Sequence, residues 1–132
     1  MKIASIIARY LIALVFIVFG LNGFLHFLPQ QPPSSATAMQ YFTVMSASHY
    51  LAVVFALQLI AGVLFLFRQT VPLALIVAGP LIVNILLFHL LMDPGGIAPG
   101  LVVTALWSVI YYQFRAAFYG VFFNETQSGP SR

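Results

Sequence analysis

Four long apolar stretches leave this chain few ways to fold. They cover about residues 3–28, 49–67, 71–92 and 99–123, and each comes close to the roughly 20 residues with which an α-helix crosses a hydrocarbon core. Backbone N–H and C=O groups find no water there, so each stretch is expected to bond internally as a helix. Composition agrees, with 62% hydrophobic and only 5% charged residues, where soluble domains carry about 25% charged. Mean hydropathy is +1.05. The expectation is all-α: an integral membrane four-helix bundle forming a single domain over residues 1–123, with a polar tail over 124–132 that frays.

The first stretch exceeds the 7 to 15 residue apolar region of a signal peptide and is followed by no small-x-small cleavage site, so it reads as a retained helix. With no cysteine in the sequence, disulfides, thiolate ligands and dithiol exchange are excluded. The basic residues set an orientation. Lys2 and Arg9 begin the first helix, Arg68 lies in the turn between the second and third, and Arg115 and Arg132 follow at the end of the fourth. The loops on the other side, 29–48 and 93–98, hold none. By the positive-inside rule both termini are expected to be cytoplasmic. The formal charge of +3 then belongs to membrane topology and implies no nucleic-acid partner. Arg9 is expected to snorkel toward the inner aromatic belt of Tyr10, Tyr111, Tyr112 and Tyr119.

Local signals punctuate these spans. Thr70 is placed to N-cap the third helix, with Pro72 in its first turn, and Pro99 to open the fourth after the turn-rich "MDPGGIAPG". Only the first outer loop is long. In it Ala38, Tyr41, Phe42 and Met45 recur at i, i+3, i+4, i+7, which predicts a short interfacial helix over residues 35–47 lying across the outer mouth of the bundle.

Polar residues gather toward the outer ends. Asn22 and His26 are i, i+4 neighbours near the end of the first helix and should share a face. Asn84, His89 and Asp93 approach the outer end of the third, and Pro80 is expected to kink that helix. Gln58 and His49 are nine residues apart, on opposite faces of the second helix; Gln58 is assigned inward and His49 toward the lid or the head groups. "LNGFLHF" in the first helix is faintly echoed by "VNILLFH" in the third. The expected cluster is Asn22, His26, Asn84 and His89, with Gln58 behind it. Against it stands a plainer account, in which the amides bond between helices and the histidines are satisfied by nearby backbone. Trp107, deep in the fourth helix, needs a partner for its indole N–H.

These residues also carry a resemblance. "ARYLIALVFIVFGLNGFLHFLP", then "ALQLIAGVLFLFRQTVPLALIVAGPLIVNILLFHLLMDPGG" and an aromatic-rich closing helix resemble the DoxX-like family of small four-helix bacterial membrane proteins over nearly the whole chain. The family name comes from a membrane subunit of a thiosulfate:quinone oxidoreductase, so the resemblance implies a four-helix membrane fold and a redox-associated role. Members commonly carry Glu where this chain has Gln58, so the carboxylate of a proton relay is missing here.

Three functions fit these patterns. The first is a membrane subunit of a quinone-linked redox or respiratory assembly, with His26 or His89 hydrogen-bonding a quinone carbonyl. The second is a non-catalytic accessory or assembly subunit, packed against other membrane subunits or copies of itself. The third, ranked lower, is a haem with two axial imidazoles, or zinc or iron held by His26, His89 and Asp93. No histidine pair has the i, i+4 spacing of a helix-borne zinc site, and no Cys-x-x-Cys-His haem motif occurs. Transport fits poorly, because so few polar residues make a poor aqueous path.

Overall fold

The structure, a computed structural model, describes residues 2–123; the tail expected to fray lies outside them. Among the described residues there are helices and turns and no strand. Helix α1 spans Lys2–Leu25, α2 Ala36–Ala47, α3 Tyr50–Leu66, α4 Val71–Leu91 and α5 Ile97–Phe114. Short 3-10 turns at Arg68–Thr70 and Pro94–Gly96 join α3 to α4 and α4 to α5. A further 3-10 turn, Arg115–Phe118, leads from α5 into a last short helix, α6, at Tyr119–Phe122. Three segments, Lys2–Leu25, Arg68–Leu91 and Pro94–Phe122, are long and apolar enough to cross a membrane, and α2 with α3 makes a fourth if the pair, bent by 85°, counts as one.

The long helices alternate in direction. Phe16 meets Phe65 edge to face at 6.4 Å, Gly20 lies against Leu59, Gly23 against Phe55 and Gly62 against Ile17, so α1 and α3 run antiparallel. Their glycines let the backbones close up: a Cβ added at Gly20 or Gly62 would come within 2.8 Å of Leu59 Cγ or Ile17 Cγ1. Helix α5 runs back along α4, with Gly100 beside Ile85 and Leu86. The Trp107 indole N–H donates to the Leu75 carbonyl at 3.1 Å, which supplies the partner its position demanded. One core joins α1, α3, α4 and α5 through Ile12, Phe16, Phe65, Leu75 and Ile110.

One local expectation is corrected. Thr70 does precede α4, but its hydroxyl donates backward, to the carbonyls of Leu64 (2.6 Å) and Phe67 (3.0 Å). It closes the C-terminus of α3, whose last carbonyls lack intrahelical donors. Pro80 lies within α4, which is helical from Val71 to Leu91. Arg9 reaches toward Tyr10 as expected, its guanidinium 4.9 Å from the centre of that ring, yet it is only 9% exposed, because its place on α1 aligns it with Ser5, Ile12 and Phe16 on the stripe that turns inward.

The described basic residues Lys2, Arg9, Arg68 and Arg115 fall at one end of this alternating set, and α2 lies at the other. Helix α2, expected over 35–47, is found at Ala36–Ala47. Ser35 is its N-cap, accepting from the Ala38 N–H at 3.0 Å, and Ala38, Tyr41, Phe42 and Met45 are its inward residues while their neighbours are exposed. His49, in the left-handed region at φ 61°, makes the sharp turn into α3.

Candidate functional site

Helix α1 ends earlier than its apolar pattern suggests. Leu28 precedes Pro29, and the residue before a proline is pushed out of the helical region. The chain leaves the helix at His26, at φ 52°, a left-handed conformation that histidine, asparagine and aspartate adopt more often than other residues with a Cβ. The His26 N–H still reaches the Asn22 carbonyl at 2.9 Å. The Asn22 side chain then accepts the Leu28 N–H through Oδ1 at 2.7 Å. Asn22, 2% exposed, thus ties down the departing chain, while the His26 imidazole turns outward and is exposed.

Helix α2 is fastened over the far side of this end. Ser35 Oγ donates to the Met92 carbonyl at 2.5 Å, Ser34 Oγ donates to the Asp93 carboxylate, and Tyr41 and Phe42 pack on Phe88 with ring centroids 5.3 and 5.1 Å away. Fixed to the end of α4 in this way, α2 leaves a gap of about 360 Å³ toward α1 and α3. Phe42 and Phe55 give this cavity apolar walls; His26, Gln30, Thr43 and Ser46 give it polar ones, and the buried Asn22 also borders it. The Thr43 hydroxyl donates to the Met39 carbonyl at 2.8 Å. Among the described residues that line the cavity, only His26 carries an ionisable side chain.

The other expected site residues lie elsewhere. His89 Nδ1 is 3.0 Å from the Asp93 carbonyl oxygen, and its ring stands edge-on to Phe88 and so close to Gly96 that a Cβ there would meet Cε1 at 2.5 Å. It locks the turn from α4 to α5. Asn84 is exposed, on the side of α4 that also exposes Ile76, Pro80, Val83 and Leu87. Gln58, 9% exposed, belongs to the buried stripe of α3 with Ala61, Gly62 and Phe65, and the pairing of Gly20 with Leu59 sets it at the level of Asn22. Of the four residues expected to converge, Asn22 and His26 line one cavity; Asn84 and His89 do not. His49 is exposed, outside the cavity.

Among the described residues no three His, Cys, Asp or Glu side chains come near enough to hold a metal ion. The residues do not fit a two-histidine, one-carboxylate centre: His89 is turned to a backbone carbonyl, Asp93 to Ser34, and His26 faces a separate cavity. Sequence reasoning missed Gln30, Thr43 and Ser46. The PxxP-like "PQQPPSS" run and the polar residues of α2 offered no periodic signal, and only the placement of α2 brings them opposite His26.

Comparison with family models, with curated proteins and with solved structures finds no match for this chain. The cavity must be read from its own chemistry.

Proposed function

We propose that this chain is a four-helix bundle of a bacterial inner membrane, both termini cytoplasmic, that binds a quinone head group in the α2-side cavity as a membrane subunit of a quinone-linked redox or respiratory assembly. The cavity itself carries this reading. It is an open cleft of about 360 Å³, near the lower end of the range for small-molecule sites, about 300–1,000 Å³, and it combines two aromatic walls with one imidazole and a few neutral polar groups. In the bilayer the basic end faces the cytoplasm, the cavity opens at the outer interface, and α2 lies along that interface. An apolar ring could reach it from the membrane without crossing water.

A bound quinone would supply two carbonyl oxygens and a two-electron redox couple. His26 is placed to hydrogen-bond one carbonyl and to hold or release a proton there; Gln30 and Ser46 offer donors for the other, and Phe42 and Phe55 flank the ring. Asn22 positions His26 by accepting the His26 N–H through its backbone carbonyl and the Leu28 N–H through its side chain. The electron donor belongs to a partner subunit, consistent with the resemblance to DoxX-like proteins. The test uses His26→Gly, because glycine keeps the left-handed backbone that alanine would strain. Native mass spectrometry of the purified chain with a short-tailed benzoquinone should show one bound molecule, retained in His89→Gln and lost in His26→Gly. Equal retention in both variants, or none in the parent, overturns the proposal.

The accessory-subunit reading has one observation of its own. The exposed Asn84 amide, and the Ile76 carbonyl to which Pro80 offers no N–H, lie on one outer face of α4. Hydrocarbon satisfies neither group, whereas a neighbouring helix can. Asn84→Leu should then reduce recovery of any larger complex after gentle extraction while leaving quinone retention unchanged.

A further inference from the structure

The quinone reading makes no use of the opposite end of the molecule. There Arg9 is 9% exposed, and its Nε is buried with no hydrogen-bond partner among the described residues. Its guanidinium lies 4.9 Å from the centre of the Tyr10 ring, an attraction that leaves N–H groups unsatisfied. A guanidinium does not shed its proton in a protein, so burial cannot neutralise it. The charge calls for an anion.

The described part of the chain has none to give at that end. Its one carboxylate, Asp93, is at the α2 end and accepts from Ser34. Lys2, Arg68 and Arg115 share the end with Arg9 and are exposed; Arg115 donates to the Tyr112 carbonyl at 2.5 Å and lies over the Tyr112 ring. Three exposed cations thus share one end of the molecule with a fourth that is buried and incompletely bonded. The flank of α1 beside it is apolar and open, with Ile3, Ile6, Ile7 and Leu11 exposed.

We infer that this end is a binding site for an oxyanion of the phosphate class, with Arg9 as its principal ligand. Arg9 offers a planar fork that pairs with two phosphate oxygens at once, and the surrounding cations hold the remaining charge. Two sources share this chemistry, the head group of an anionic phospholipid and free phosphate. The lipid source rests on the membrane reading above, and the apolar flank of α1 would then carry its acyl chains.

The test uses the full chain in detergent, with membrane insertion scored separately by its resistance to carbonate extraction, so that failure of the membrane reading is seen on its own. Native mass spectrometry is run with phosphatidylglycerol, phosphatidylcholine or inorganic phosphate added. The expected result is at least tenfold higher occupancy by phosphatidylglycerol than by phosphatidylcholine, falling to the phosphatidylcholine level in Arg9→Gln and only partly in Arg68→Gln. Arg9→Lys keeps the charge, loses the fork and should fall in between; it also serves if Arg9→Gln does not fold. Inorganic phosphate that binds and displaces the lipid, in an Arg9-dependent way, identifies the free anion as the source. The inference is overturned if neither probe binds the parent, if Arg9→Gln retains the parent's preference, or if binding appears only in Glu125→Gln, which would make the chain's own tail the counterion.

Discussion

Two segments of this protein look alike in sequence and behave differently in the fold. "LNGFLHF" closes α1 and "VNILLFH" approaches the end of α4. In the first, asparagine is buried and bonded while histidine is open to a cavity; in the second, asparagine is exposed and histidine is engaged with the Asp93 carbonyl. The punctuation that follows each decides the outcome. Pro29 ends α1 just after His26, so His26 falls outside the helix. Pro94 comes later relative to His89, which stays within α4 and closes on the turn. Residue type shows that a polar group is present; the distance to the helix end determines whether that group is spent on structure or left free.

The sharpest way to break the comparison is to remove both asparagines in turn. Asn22→Leu deletes the acceptor of the Leu28 N–H at a buried site and should cost about 1–3 kcal/mol, lowering the melting temperature in detergent and loosening His26. Asn84→Leu removes an exposed amide with no hydrogen bond among the described residues and should leave the melting temperature of the isolated chain nearly unchanged. Equal losses would mean that α4 holds Asn84 in a way its exposure does not show.

Glycines mark the same asymmetry. A Cβ at Gly23 would lie 2.2 Å from the Phe55 ring, at the wall of the cavity, so Gly23→Ala should cost about 1–3 kcal/mol by overpacking and abolish quinone retention as Phe55 shifts. Gly96→Ala meets only the far end of the His89 ring. It should displace that ring from Asp93, cost about 1 kcal/mol and spare quinone retention. Gly95→Ala, with nothing within 4 Å of the added atom, is the control for both.

Much of this was legible in the sequence, for identifiable reasons. The long apolar stretches and the face of α2 were readable because periodicity reports which side of a helix is covered, and Ala38, Tyr41, Phe42 and Met45 followed it. The end of α1 was not, because Phe27 and Leu28 continue the apolar run past the point where Pro29 and the Asn22 side chain stop the helix. Thr70 was misread because a hydroxyl at a helix junction can serve the helix before it or the one after, and only the fold chooses. The four-residue cluster failed for a related reason. Depth along a helix was readable from residue number, but rotation about α4 depends on how α4 meets α3 and α5, and that rotation turned Asn84 outward.

The smallest expected effects lie in the histidines, where stability and binding should separate. His26 occupies a left-handed position and has no side-chain hydrogen bond among the described residues, so His26→Gly relieves backbone strain while adding some chain entropy to the unfolded state, terms of similar size and opposite sign. Its melting temperature should stay within the shift expected for about 0.5 kcal/mol. His89→Ala loses the contact with the Asp93 carbonyl and the packing against Phe88 and Gly96, a cost of about 0.5–1.5 kcal/mol for the hydrogen bond. Quinone retention should show the reverse order, lost in His26→Gly and kept in His89→Ala. A chain in which both histidines moved stability alone would have a structural pair and an idle cavity; one in which the two readouts cross has put its two histidines to different uses.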